Sequence, residues 1–107
     1  MKYWCLGASG KYPDSCYAVN DPDAKNACLG MTRSRDSCYG VGDPDIKNLC
    51  LGRAQSRDFC YAIADPDIKN ACLGMSYDRN SCYAARGPYR LLCAGVALSV
   101  DNCYAIR

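Results

Sequence analysis

The sequence predicts an all-α fold, a disulfide-stapled solenoid of short helical hairpins built on a 22-residue repeat. Three observations carry that reading. The unit Asp-Pro-Asp-x-Lys-Asn-x-Cys-Leu-Gly recurs from Asp21, Asp43 and Asp65, each time followed by a Cys-Tyr pair. A unit this small cannot bury its own apolar face and must stack on its neighbours. Ten cysteines in 107 residues form a density usual in secreted disulfide scaffolds.

The array divides into approximate units 1–20, 21–42, 43–64, 65–86 and 87–107, together forming one domain. The first unit lacks the Asp-Pro-Asp, and the last opens on Gly87-Pro88 and runs one residue short. In the unit from Asp43, that aspartate is an N-cap, Pro44 suits the first helical position, and Asp45 meets the helix dipole in the first turn. Ile46, Leu49 and Cys50 follow at i, i+3 and i+4, one apolar stripe of a helix. Gly52 reads as the stop, because a left-handed residue commonly ends a helix, so the helix is predicted over 44–51. Ser34, Ser56 and Ser99 then cap a second helix, with Asp36, Asp58 and Asp101 two residues inside it. That helix carries the Cys-Tyr pair and ends before the next Asp-Pro. A β-solenoid has coils of similar length, but the strict period-two alternation it needs is missing.

Leu, Ile, Val and Phe together number seventeen, a thin hydrocarbon core. Covalent staples must therefore supply much of the stability. Two regular pairings of Cys5, Cys16, Cys28, Cys38, Cys50, Cys60, Cys72, Cys82, Cys93 and Cys103 are open. Pairing within each hairpin joins Cys5 with Cys16, Cys28 with Cys38, and so on to Cys93 with Cys103, leaving none over. Pairing across the Asp-Pro-Asp linker joins Cys16 with Cys28, Cys38 with Cys50, Cys60 with Cys72 and Cys82 with Cys93, stranding Cys5 and Cys103. Parity favours the first scheme.

The chemical inventory narrows function. The chain has no His and no Glu, and no nucleophile stands beside a base, so catalysis is not expected. Close Cys pairs with metal-ligand spacing are missing, and no cofactor is expected. Asp-Pro-Asp places two carboxylates two apart, as calcium loops do, but the further oxygen ligands and the Gly and Glu of such a loop do not follow. Lys, Arg and Asp alternate to a net charge of +2, so no basic block steers nucleic acid. No apolar run reaches the roughly 20 residues of a membrane span. No leader precedes the first unit, and the cysteine density argues for one removed from a secreted or periplasmic protein.

Tyr17, Tyr39, Tyr61, Tyr83 and Tyr104 recur once per unit, and that regularity favours packing between repeats over recognition. Recognition belongs where the copies differ, in the loops between the two helices: Tyr12, Met31, Arg33, Arg53, Gln55, Met75 and Tyr77. The unit is shorter than tetratricopeptide, ankyrin or HEAT repeats and lacks the leucine spacing of leucine-rich repeats. The function expected is binding of another protein, of which a toxin-neutralising or inhibitor protein is one form. The rivals are a structural module that associates end to end in a longer assembly, and a thiol-based metal store.

Overall fold

In a computed structural model describing residues 1–106, five α-helices alternate with five 3-10 helices and no strand occurs among those residues. The α-helices are α1 (Lys2–Ala8), α2 (Pro22–Thr32), α3 (Pro44–Ala54), α4 (Pro66–Ser76) and α5 (Pro88–Ala97). Between and after them come η1 (Pro13–Ala18), η2 (Arg35–Gly40), η3 (Arg57–Ala62), η4 (Arg79–Ala84) and η5 (Val100–Ala105). The helical repeat is as expected, with the second helix of each hairpin wound as 3-10. Its ends do not stay open: α1 packs against α2 on one side and α5 on the other, and also against η5. The array is a closed ring of five units, a disc with extents of 28 × 28 × 19 Å.

The caps are those read from the sequence. The Asp43 carboxylate accepts from the Asp45 and Ile46 backbone N–H groups at 2.9 and 3.1 Å, and Asp21 and Asp65 act alike on α2 and α4. Ser34, Ser56 and Ser99 accept from the N–H of Asp36, Asp58 and Asp101. Asp78 does this for η4. The third residue of the Asp-Pro-Asp motif has a further task that the dipole argument missed. Asp45 holds the start of the next unit, accepting from the Ala64 and Asp65 N–H groups at 3.0 and 3.2 Å. Asp23 does the same for Gly42 and Asp43, and Asp67 for Arg86.

Two sequence expectations are corrected. The helices do not stop at the glycine; α3 runs on to Ala54, and the only positive φ angles among the described residues are at Gly10 and Gly87. The actual stop is Ser56, whose extended backbone lets its hydroxyl cap η3 instead of continuing α3. The disulfides follow the linker scheme, not the hairpin scheme: Cys16–Cys28, Cys38–Cys50, Cys60–Cys72 and Cys82–Cys93. The two cysteines this scheme strands join each other, Cys5 to Cys103, and that bond closes the ring. Cα atoms lie 5.4 to 5.6 Å apart in these bridges, an ordinary span.

The glycines explain why the sulfurs sit there. A methyl group added at Gly52 would fall under 3.0 Å from the sulfurs of both Cys60 and Cys72. Gly7, Gly30, Gly74 and Gly95 meet the other four bridges in the same way, Gly95 receiving the closing Cys5–Cys103 bond. Each glycine is thus a socket on one helix for the disulfide that anchors the next. All ten cysteines are 0% exposed.

Inside the ring, successive turns of the helices supply layers of one residue each. Trp4, Ala27, Leu49, Ala71 and Leu92, at equivalent positions, are at most 1% exposed. Three large residues and two alanines share this layer, so the centre is filled by one indole and two leucines. The Trp4 ring meets Tyr89 edge-on at 6.5 Å, and its Nε1 donates to the Met31 sulfur at 3.4 Å. Val19, Val41, Ile63, Ala85 and Ile106, one after each 3-10 helix, are buried as well.

Closing a chain segment of 98 residues removes about 4.7 kcal/mol of unfolded-state freedom on the chain-entropy model, and each shorter loop about 3 kcal/mol. These values do not sum, because the four short bridges already shorten the path that the fifth closes. Two outcomes follow. In a non-reducing tryptic map of the denatured protein, the peptide containing Cys5 is released in a three-peptide species with the C-terminal peptide, which holds both Cys93 and Cys103, and the peptide containing Cys82; a Cys5–Cys16 peptide pair would restore the hairpin scheme. Gly52→Ala yields free thiols or scrambled isomers on oxidative refolding, whereas Gly42→Ala, whose added carbon meets only the Asp23 carboxylate at 3.6 Å, refolds like the parent.

Candidate protein-binding face

The α-helices run parallel around the ring, so their starts share one face of the disc and their ends the other. A cavity of about 520 Å³ gathers Met1, Trp4, Ala24, Ile46 and Tyr89 from the starts of four helices. On the opposite face, Arg53 at the end of α3 lines two depressions. One, of about 360 Å³, also holds Met31, Arg33 and Arg35; the other, of about 500 Å³, holds Met75, Tyr77 and Arg79. Five of the seven predicted positions, Met31, Arg33, Arg53, Met75 and Tyr77, therefore line depressions on the C-terminal face.

Their roles there are not uniform. Tyr12 and Tyr77 are 44% and 63% exposed, and Arg33, Arg53 and Gln55 are exposed too. Met75 lies 8% exposed inside the last turn of α4, and Met31 is half-buried beneath Trp4. Both methionines sit on the inward stripe two residues beyond the expected helix end, inside the α-helix that runs past the glycine, so they are not loop residues. Placing the helix stop at glycine hid this; continuing the stripe from Ile68 by seven residues reaches Met75.

Tyr77 has a partner that spacing alone did not reveal. The Arg57 guanidinium stacks over its ring at 4.0 Å, an arrangement that holds two large side chains flat on the surface. Beside them stand Arg53 and Gln55, with no ion pair to either arginine among the described residues. Arg33 is engaged more firmly, donating to Asp14 at 2.6 Å while its guanidinium lies 5.6 Å from the Tyr17 ring centre. With side chains 45% and 90% exposed, that ion pair adds little to stability.

No protein-family model, no curated protein and no solved structure matches this chain. What the surface can do follows from its own chemistry. Tyrosine and arginine bury large area at small entropic cost and are the residues most enriched at binding hot spots.

The five repeated tyrosines lie elsewhere, around the outer rim. Their rings are 53% to 60% exposed and do not fill the gaps between repeats, contrary to the packing expectation. Each instead receives a cation: Arg33 over Tyr17, Lys47 over Tyr39, Lys69 over Tyr61, Arg90 over Tyr83, and Lys2 across the closure over Tyr104, at 5.4 to 5.9 Å. Exposed cation–π contacts are each worth about 0.5–1 kcal/mol and join neighbouring units.

Among the described residues no group of three or more metal ligands converges, and no helix is long and apolar enough to cross a membrane. All ten cysteines are bonded, so a thiol store would first have to be reduced. Five disulfides are compatible with an oxidising extracellular compartment.

The division of the variable positions is measurable. Tyr77→Ala lowers unfolding free energy by no more than about 1 kcal/mol, the worth of its exposed contact with Arg57, whereas Met75→Ala lowers it by about 2 kcal/mol or more. Denaturant midpoints measured without reductant compare the two.

Proposed function

We propose that this chain is a non-catalytic scaffold, secreted or periplasmic, that binds another protein through the C-terminal face of its ring. A toxin-neutralising or inhibitor protein is one form of that function. The observation that carries the reading is the coincidence of three properties on one face. Exposed Arg33, Gln55 and Tyr77 differ between copies at one position, Tyr77 stacks with the recurring Arg57 beside Arg53, and all stand on helices whose disulfides are wholly buried. A frame locked in this way loses little freedom on association, so contact energy is not spent on ordering the binder. The absence of His and Glu from the sequence supports a role without acid–base chemistry.

The experiment pairs three baits against an extracellular extract of the source: the parent, an Arg53→Ala/Arg57→Ala/Tyr77→Ala variant of the face, and a Tyr39→Ala/Tyr61→Ala variant of the rim. A partner retained by the parent and rim variant and lost by at least tenfold on the face variant supports the reading. Equal recovery on all three baits, or loss only with the rim variant, would overturn it.

A further inference from the structure

The cup of about 520 Å³ on the N-terminal face lies across the disc from the surface proposed to bind a protein. One residue accounts for its place in the ring. Met1, Ala24, Ile46, Ile68 and Tyr89 stand at the same position in the five units, four residues before a helical cysteine. Ala24 is the smallest of them, where α3 and α4 carry isoleucine, and the space beside it is bounded by Met1, Ile46 and Tyr89. The floor is apolar: Trp4, Val19, Ala24 and Ile46 are at most 8% exposed, and the Tyr89 ring stands edge-on to the indole. A cavity of this size, with apolar walls and a few converging polar groups, has the make-up of a small-molecule site.

Its side-chain charges carry one sign. Asp21, Asp23 and Asp43 line the cup, and no lysine or arginine side chain does. Asp23 spends both oxygens on the Gly42 and Asp43 N–H groups. The other two are half used: Asp21 accepts the Ala24 N–H through Oδ2 at 3.0 Å, and Asp43 accepts those of Asp45 and Ile46 through Oδ1. Capping therefore explains one oxygen of each and leaves Asp21 Oδ1 and Asp43 Oδ2 without a donor among the described residues. Neither carboxylate is in an ion pair among those residues, and the Met1 ammonium makes none either. The Tyr89 phenol registers the resulting field, held above its ordinary range first by burial and then by Asp43, Asp65, Asp21 and Asp45, carboxylates of three different units.

We propose that this cup binds a small organic ammonium ion, a primary amine carried on an aliphatic body. The ammonium N–H groups donate toward the free oxygens of Asp21 and Asp43, while the hydrocarbon lies against Ala24, Ile46 and the Tyr89 ring. An aromatic wall suits such a ligand, because the negative face of the ring attracts a cation and its carbon surface covers the chain. Charge rejects the other small ligands: a carboxylate or phosphate meets three acids, and a neutral alcohol gains no attraction from them. A bare metal ion is disfavoured too, since no three ligands converge among the described residues. The inference goes beyond the capture of a protein and stands on the opposite face, so either reading can fail alone.

The probe is n-butylammonium, and Trp4, the single tryptophan, reports on the cup. Titration followed by indole fluorescence and backbone amide shifts is expected to saturate with a dissociation constant of about 1–10 mM, the range open to so small a ligand. The shifts centre on Trp4, Ala24, Ile46 and Tyr89. Ala24→Ile, which installs the residue of α3 and α4, fills the cup and weakens binding at least tenfold. Asp21→Asn/Asp43→Asn does the same while asparagine keeps the caps, so the charge is tested separately from the space. Asp36→Asn/Asp58→Asn, an equal change in charge away from the cup, binds like the parent. Shifts that n-butanol or sodium chloride reproduces at equal concentration, affinity unchanged in both cup variants, equal weakening by the Asp36/Asp58 pair, or no saturable change up to about 50 mM overturns the proposal.

Discussion

Everything else in this fold depends on a disulfide lying in the notch of a glycine. In each unit the sulfurs of one bridge occupy the space where a side chain on the preceding helix would begin. The bridge ties a 3-10 helix to the α-helix that follows and at the same time sets the distance to the α-helix before it. A single close contact thus fixes three elements, and five such contacts, one per unit, bring the chain around until Gly95 receives the bond between Cys5 and Cys103. The last socket is built like the other four although its two cysteines lie at opposite ends of the chain. Closure is therefore the same local packing rule applied once more, not a separate device.

That rule explains how helices of seven to eleven residues persist. Nucleating so short a helix is unfavourable in isolation, and the hydrocarbon available is small. Side-chain caps at the starts of α2 to α4 and η2 to η5 satisfy first N–H groups, the Asp23, Asp45 and Asp67 carboxylates hold the following linkers, and the sulfurs fill volume that aliphatic side chains fill in larger domains. Among the described residues no polar or charged side chain is buried, so the interior is apolar and covalent with nothing left to satisfy.

Much of this was legible in the sequence, and the failures have one cause. The fold class, the helix starts and the serine caps depend on residues close together in the chain, and local chemistry decides them. The role of Gly52 does not: a glycine before a polar loop has an ordinary local meaning as a helix stop, and only the neighbouring bridge makes it a socket. The pairing of the cysteines failed similarly. Counting leftovers presumes that the two ends are far apart, whereas a linker scheme that strands only the first and last cysteine is what a ring requires. The same misplaced stop put Met31 and Met75 in loops, while Tyr12, Arg33, Arg53, Gln55 and Tyr77, which do reach the surface, were found by the variation between copies. The Arg57–Tyr77 stack joins residues twenty apart on adjacent units, and no spacing rule announces it.

Closure also changes what variation between repeats can do. In an open array, differences between units spread along an edge that lengthens with each repeat, and the end units must be altered to stop growth. Here no unit is terminal, every helix has two neighbours, and differences are distributed by angle around an axis. Departures from fivefold likeness then give the disc an orientation. Tyr89 stands in place of the isoleucines of α3 and α4 in the wall of the N-terminal mouth, Trp4 fills the centre from one side, and the acidic motif is confined to three of the five units. A surface whose symmetry is broken in this way can be met in only one rotational setting. The near-identity of the repeats maintains the frame, and their few disagreements determine how a partner can sit upon it.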